Sequence, residues 1–393
     1  MKPQFQELML EATRLTQAGR LQDASAVIQQ ALQGGTAAPA TPAATEGAYA
    51  AAPWASAFES FLERSGAPAD TRTVLDGCVR EVDEAQQDAP AARGPSGAAG
   101  EFIDGVHSEA AGSLHYKLYV PPGHEGKALP LLVMLHGCTQ DPDDFAAGTA
   151  MNELAREQGF FVLYPAQSQH ANPQRCWNWF KHNHQQRGRG EPAVLANLTQ
   201  AVMRQYGIDP ARVYAAGLSA GGAMAAILGQ SYPELFAAVG VHSGLPPGAA
   251  HDVQTAFAAM REGSPPTPPA ARPLRGAAKP SKAGGPVPTI VFHGDRDTTV
   301  SPRNGQQLIE AAVGPHALAQ AEHGRSAHGQ RYTRTLYRSA SGLPLGEHWE
   351  LHGSGHAWSG GSARGSYTEP RGVEASREML RFFLAHPKEG RKA

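Results

Sequence analysis

Ser219 stands in Gly217-Leu218-Ser219-Ala220-Gly221, directly after the apolar run Val213-Tyr214-Ala215-Ala216 and directly before an Ala/Leu-rich stretch. A serine hydroxyl is a poor nucleophile at its free pKa; it becomes effective when a histidine takes its proton and a carboxylate orients that histidine and stabilises its charge. Candidates for both partners lie downstream. The acid belongs in His293-Gly294-Asp295-Arg296-Asp297-Thr298-Thr299-Val300, where Asp295 and Asp297 compete. For the base, the glycine-rich stretch Gly353-Ser354-Gly355-His356-Ala357-Trp358 follows the last apolar run, and its small residues leave an imidazole room to reach Ser219. His136, His242 and His293 sit at the ends of apolar runs, where a histidine is usually a structural hydrogen-bonding group.

These residues need rigid supports. Small residues around Ser219, between a strand and a helix, have the form of a nucleophile elbow, a cramped turn that projects the hydroxyl clear of a sheet. The helix expected over 222–232 points free backbone N–H groups and partial positive charge at any oxyanion formed there. Short apolar runs at 114–120, 131–135, 160–164, 213–216, 238–242, 289–292 and 349–351 read as strands. Helical patterns over 145–157, 195–206, 222–232, 303–313 and 373–384 separate most of them. Strands alternating with helices predict a mostly parallel central sheet with helices on both faces. With the elbow, they select the α/β-hydrolase fold, whose triad runs in the order serine, acid, histidine. The acid of hydrolases with this fold fills the Asp of His-Gly-x-x-Asp-x-x-Val, which favours Asp297 and leaves Asp295 to stabilise the turn. One oxyanion donor is then the N–H of Ala220. The second comes from the loop after the strand Leu131-Leu132-Val133-Met134-Leu135, where Cys138 N–H is the choice.

Composition bounds the rest. The chain of 393 residues has a net charge of −2, which gives no reason to expect a nucleic-acid partner. No run approaches the ~18 consecutive apolar residues of a membrane span, and the N-terminus lacks the apolar core of a secretory signal, so a cytoplasmic location is expected. Three cysteines, Cys78, Cys138 and Cys176, fit no zinc site, and no metal or cofactor is expected. Apolar spacing over 5–32 predicts an N-terminal helical hairpin (1–35), suited to self-association or docking. A linker-rich region with short helices (36–100), the hydrolase domain (101–387) and a disordered tail (388–393) follow. Within the domain, the Pro/Ala-rich stretch 249–287 reads as a mobile insertion.

Leu135-His136-Gly137-Cys138-Thr139-Gln140, Cys176-Trp177-Asn178-Trp179, the Ser219 elbow, the Asp297 turn and Gly355-His356-Ala357-Trp358-Ser359-Gly360-Gly361 occur in one order. Together they resemble the poly(3-hydroxybutyrate) depolymerase family of esterases, over roughly residues 101 to 386. The resemblance implies a serine esterase acting on hydroxyalkanoate polyesters or their oligomers or, in a related branch, on feruloyl and acetyl esters of polysaccharides. For the N-terminal hairpin, granule docking is the alternative to self-association. A different class of function is a granule-binding protein with a vestigial hydrolase fold, against which the complete triad argues. Secreted members of the family are extracellular. Trp177, Trp179 and Trp358 lie in or beside the motifs and are candidates to bind substrate through their ring faces, with core packing as the alternative. Cys138 and Cys176 both fall in expected active-site loops and are expected to lie close enough for a disulfide.

Overall fold

A computed structural model describes residues 99–109, 112–264 and 287–388. The chain divides into two units, 1–79 and 80–393, and the described residues all belong to the second. The expected N-terminal hairpin, nearly all of the linker region 36–100 and most of the tail lie outside the described residues.

Twelve strands are defined among the described residues, and ten of them form one sheet. In chain order these ten are β1 (Glu101–Glu109), β2 (Gly112–Val120), β3 (Leu131–Leu135), β4 (Phe161–Pro165), β5 (Val213–Leu218), β6 (Ala238–His242), β7 (Thr289–Gly294), β8 (Leu318–Arg325), β9 (Arg331–Arg338) and β10 (Pro344–Leu351). Their spatial order is β1-β2-β4-β3-β5-β6-β7-β10-β9-β8. From β4 to β10 across the middle, all neighbours are parallel. Antiparallel hairpins close both edges. Two short strands, β11 (Trp358–Ser359) and β12 (Thr368–Glu369), pair separately.

The parallel strands read as unbroken apolar runs because both of their faces are covered. Leu131, Val133, Val213 and Ala215 pack into one core with α3 (Gly190–Tyr206) and α4 (Ala220–Ser231). Leu132, Met134, Tyr214 and Ala216 pack into the other. That second core is covered by α1 (Pro142–Thr149), α2 (Met151–Gln158) and the last described helix, Ala375–Leu384. This is the α/β-hydrolase architecture expected from the sequence.

Three details differ from expectation. The helix expected over 145–157 is two helices, because Ala150 adopts a left-handed conformation (φ 52°) between α1 and α2. The start of the expected mobile insertion is folded: Ala249 and Ala250 are buried, and α5 (Val253–Glu262) opens on a capping box between Asp252 and Thr255 and buries Ala256 and Ala259. The remaining stretch, 265–286, lies outside the described residues. Strands β8 and β9 had no sequence counterpart. Nearly every β8 side chain is exposed, so burial imposes no alternation on it.

Candidate active site

Between residues 213 and 229 every residue is buried except Ser219. That single opening follows from the elbow. Ser219 takes φ 57° and ψ −118° between β5 and α4, a strained conformation for a residue with a side chain. Its N–H donates to the carbonyl of His242 at the end of β6 (2.9 Å). Gly221 lets α4 meet the end of β3: a Cβ there would stand 2.0 Å from the Leu135 carbonyl oxygen. Main chains this close admit only glycine.

The candidate acid and base lie on neighbouring strand ends. β7 runs into the turn carrying Asp297, and β10, which pairs with β7, runs into the loop carrying His356. His356 Nδ1 donates to Asp297 Oδ2 at 2.7 Å. The other carboxylate oxygen of Asp297 accepts from the N–H groups of Thr299 and Val300 (2.9 and 2.8 Å). His293 Nε2 lies 3.4 Å from Oδ2 and bonds to the Val300 carbonyl oxygen at 2.9 Å. Burial alone would raise the Asp297 pKa, but bonds from His293 and His356 outweigh it and hold the carboxyl well below its ordinary range. Asp297 is therefore an anion at neutral pH and fixes the His356 proton on Nδ1. No hydrogen bond joins Ser219 to His356 among the described residues.

Asp295 has a larger task than stabilising its own turn. Its carboxylate accepts from Gly353 N–H (2.7 Å) and His352 Nδ1 (3.0 Å), clasping the acid turn to the loop that carries the base. The main chain adds Arg296 N–H to Ser354 O (3.0 Å), and Gly294 allows that approach because a Cβ would meet Ser354 O at 2.4 Å. Asp295, Glu350 and His352 each bring one possible metal-ligating atom within 4.8 Å of the others. Both His352 nitrogens are engaged, Nδ1 by Asp295 and Nε2 by Thr333 Oγ1 (2.9 Å), so the group is a hydrogen-bonded clasp.

His242 ties the three parts together. Its carbonyl holds the elbow, and its ring stacks between Phe292 of β7 and Trp358 beyond the base, at centroid distances of 5.8 and 5.3 Å. His242 Nε2 accepts from Ser359 N–H (3.0 Å), which leaves Nδ1 to donate to Ser243 Oγ (3.2 Å). Burial, helped by His293 and His356 nearby, lowers its pKa to about 3, so the ring is neutral. Its position after a buried strand predicted a structural role; the contacts across three elements are long-range and left no local signal.

On the other side of Ser219 lies the loop after β3. A Cβ on Gly137 would stand 3.7 Å from Ser219 Cβ, which puts this loop beside the nucleophile. Gly137 N–H donates to Gln140 Oε1 (3.0 Å). His136 accepts Gln167 N–H at Nε2 (3.2 Å) and donates from Nδ1 to Gly137 O (2.8 Å). The backbone N–H groups of Cys138 and Ala220 make no hydrogen bond among the described residues. A Cys138–Cys176 disulfide, with Cα atoms 4.2 Å apart, ties this loop to the 172–180 segment. Beside it Thr139 N–H donates to Gln174 O (2.6 Å).

The tryptophans require a correction. Trp177, Trp179 and Trp358 are 1, 6 and 0 % exposed, so their ring faces pack the protein and are not offered to substrate. Trp358 is anchored by Nε1 to Ser376 Oγ (3.0 Å). Trp177 packs against His136 and borders a cleft of about 620 Å³ whose lining includes Gln167, Glu191 and Leu195 but none of Ser219, Asp297 or His356. Motif proximity suggested an aromatic binding surface. The large apolar area of these rings is used instead as packing beneath the active-site loops.

Comparison with known proteins agrees with this geometry. The family described as Esterase PHB depolymerase matches residues 114–333, more than half of the chain. The chain is 35% identical over 247 residues to poly(3-hydroxyalkanoate) depolymerase C of Paucimonas lemoignei, covering 62% of this chain and 58% of that protein. It is 31% identical over 230 residues to acetylxylan esterase A of Talaromyces purpureogenus, covering 54% and 56%. The chain thus spans a little over half the length of these curated relatives. An acetyl xylan esterase from Aspergillus awamori superposes with a TM-score of 0.55 at 21% identity, covering 72% of this chain and 99% of that one, a likeness of fold.

Proposed function

Because the chain belongs to the esterase PHB depolymerase family, we propose that it is a serine esterase that cleaves poly(3-hydroxybutyrate)-type polyesters or their oligomers. Ser219, Asp297 and His356 form the triad, and the N–H groups of Cys138 and Ala220 form the oxyanion hole. The observation that carries this reading is the Asp297–His356 bond on strand ends adjoining the elbow whose serine alone reaches solvent.

Ser219 Oγ attacks the ester carbonyl carbon while His356 Nε2 takes the hydroxyl proton. Asp297, held anionic, stabilises the imidazolium and keeps its ring in place. The carbonyl oxygen becomes an oxyanion that accepts from the two N–H groups, each such donor being worth about 3 kcal/mol. The C–O bond then breaks, and His356 delivers its proton to the departing alcohol. Water, losing a proton to His356, attacks the acyl-enzyme; collapse returns the proton to Ser219 Oγ and releases the carboxylic acid.

The relatives named as acetylxylan esterases support a second reading, deacetylation of a polysaccharide. The Cys138–Cys176 disulfide supports an oxidising compartment in place of the cytoplasm read from the N-terminus. Among the described residues, no helix is long and apolar enough to cross a membrane. A fluorophosphonate probe should label Ser219 and no other residue. Release assays on hydroxybutyrate oligomers, graded p-nitrophenyl esters, methyl ferulate and acetylated xylan then rank the substrates. Absence of labelling in folded protein would refute the triad, and turnover of acetylated xylan alone would select the second reading.

A further inference from the structure

Among the described residues Tyr367 is the only exposed side chain of the Phe, Tyr and Trp types, at 46%. It stands at the candidate site. Its hydroxyl lies 3.1 Å from Thr139 Oγ1, one residue from Cys138. Thr139 Oγ1 already donates to the Cys138 carbonyl (2.6 Å), so the phenol is the donor between them. Its carbonyl accepts Trp358 N–H (2.7 Å), two residues beyond His356. Tyr367 thus spans from the oxyanion loop to the histidine loop. The main chain is strained to hold it there, with φ at 52° for Tyr367 and 66° for Thr139, and such strain persists only where the surroundings enforce it.

Nearby polar groups have little left to offer a ligand. Gln140 Nε2 donates to Asp144 Oδ2 (2.8 Å) and to Ser366 O (3.2 Å), while Gln140 Oε1 accepts Gly137 N–H. Asp144 in turn accepts from Ser366 N–H and Ser366 Oγ (2.7 and 2.5 Å). The Tyr367 ring makes no aromatic or cation contact among the described residues. An exposed ring over a self-satisfied polar cluster suits an apolar chain better than a sugar, which needs free, directional hydrogen-bonding partners.

We propose that Tyr367 is a specificity-determining residue whose ring face supports the aliphatic chain of an ester substrate beyond the scissile bond. The proposal rests on the serine-esterase reading and names the part of the substrate that the buried tryptophans cannot contact. It predicts that the ring matters for long substrates and not for short ones.

The experiment compares wild type, Tyr367→Ala and Tyr367→Phe on p-nitrophenyl acetate, butyrate and octanoate and on hydroxybutyrate trimer and acetylated xylo-oligosaccharide, with thermal melting as the check on folding. For Tyr367→Ala, KM for octanoate and trimer should rise about five- to tenfold with kcat near wild type, and acetate kinetics should stay within about twofold. Tyr367→Phe, which keeps the ring, should retain the wild-type chain-length preference. An unchanged chain-length preference in Tyr367→Ala would overturn the proposal. So would a uniform fall in kcat on every substrate with both variants, which would make the hydroxyl a support of the oxyanion loop. A loss confined to the xylo-oligosaccharide would overturn it in favour of a sugar platform. If wild type fails to take the probe at Ser219 or to turn over acetate, the esterase reading fails first, independently of Tyr367.

Discussion

On one side of Ser219, the candidate acid and base stand on buried supports. Asp297 is held by two backbone N–H groups and two histidines, and the neutral ring of His242 bridges the elbow, the acid strand and the stretch beyond the base. On the other side the candidate oxyanion loop is held near the surface, by a disulfide and a strained Thr139. The buried side depends on every polar group keeping its partner, whereas the surface side depends on covalent closure and backbone constraint. Perturbations of redox state should therefore fall on the second, and loss of a buried polar partner should cost most on the first.

The largest effect belongs to the residue both sides serve. Ser219→Ala should lower kcat on p-nitrophenyl butyrate by about 10⁴-fold or more with unchanged melting temperature. On the buried side, Asp297→Asn removes the anion that fixes His356 and should cost about 10⁴-fold, as loss of the orienting charge does in such triads. Asp295→Asn loosens only the clasp to His352 and Gly353, and an activity loss of about tenfold, within the range of a misplaced catalytic group, is expected. Equal losses in the two variants would show that the assignment of the acid is wrong.

Acid should reach both sides, through their buried histidines. Burial lowers the pKa of His136 and His348 to about 4 and that of His242 to about 3. Each is neutral in the fold and free to protonate near 6.5 once unfolded, so each favours the folded state fully above that pH and loses its contribution as pH falls toward 4. Melting temperature should be flat above pH 7 and drop steeply between pH 6.5 and 4. His242→Phe keeps a ring between Phe292 and Trp358 but orphans Ser359 N–H; it should cost about 1–3 kcal/mol at pH 7.5 and flatten part of the acid limb. An unchanged acid limb would remove His242 from that account.

The smallest effect on turnover is expected on the surface side. Cys176→Ser opens a closure of 38 residues and should reduce stability by up to about 4 kcal/mol in the chain-entropy model, read by denaturant titration. Because His136 and Gln140 still hold the loop, kcat should fall no more than about tenfold, less than loss of one oxyanion donor. A larger fall would make the disulfide the main support of the oxyanion loop.

The same contrast explains what could be read from the sequence. β3, β5, β6 and β7 are buried on both faces and therefore appear as apolar runs; the elbow and Asp297 follow the ends of β5 and β7, and His356 follows the end of β10. β8 escaped because an exposed strand needs no pattern, and β9 because its run of half-buried residues shows no alternation. The tryptophans misled because a motif places a residue near a site without setting the direction of its side chain. Tyr367 escaped because its significance lies in a contact with a residue 228 positions away.

Gly221 has a consequence for how such a protein can diversify. A single methyl group there would overlap the Leu135 carbonyl oxygen, so the spacing between α4 and β3 has no small step available to it. On the proposed reading, mutational paths that keep activity must leave the elbow where it is and explore the rim, where a change at Tyr367 or its neighbours is expected to alter what is gripped without moving what reacts. New substrate preferences in this lineage should accordingly arise by exchange of rim residues around an invariant centre, and laboratory libraries confined to that rim should yield altered selectivity at far higher frequency than libraries aimed at the serine turn.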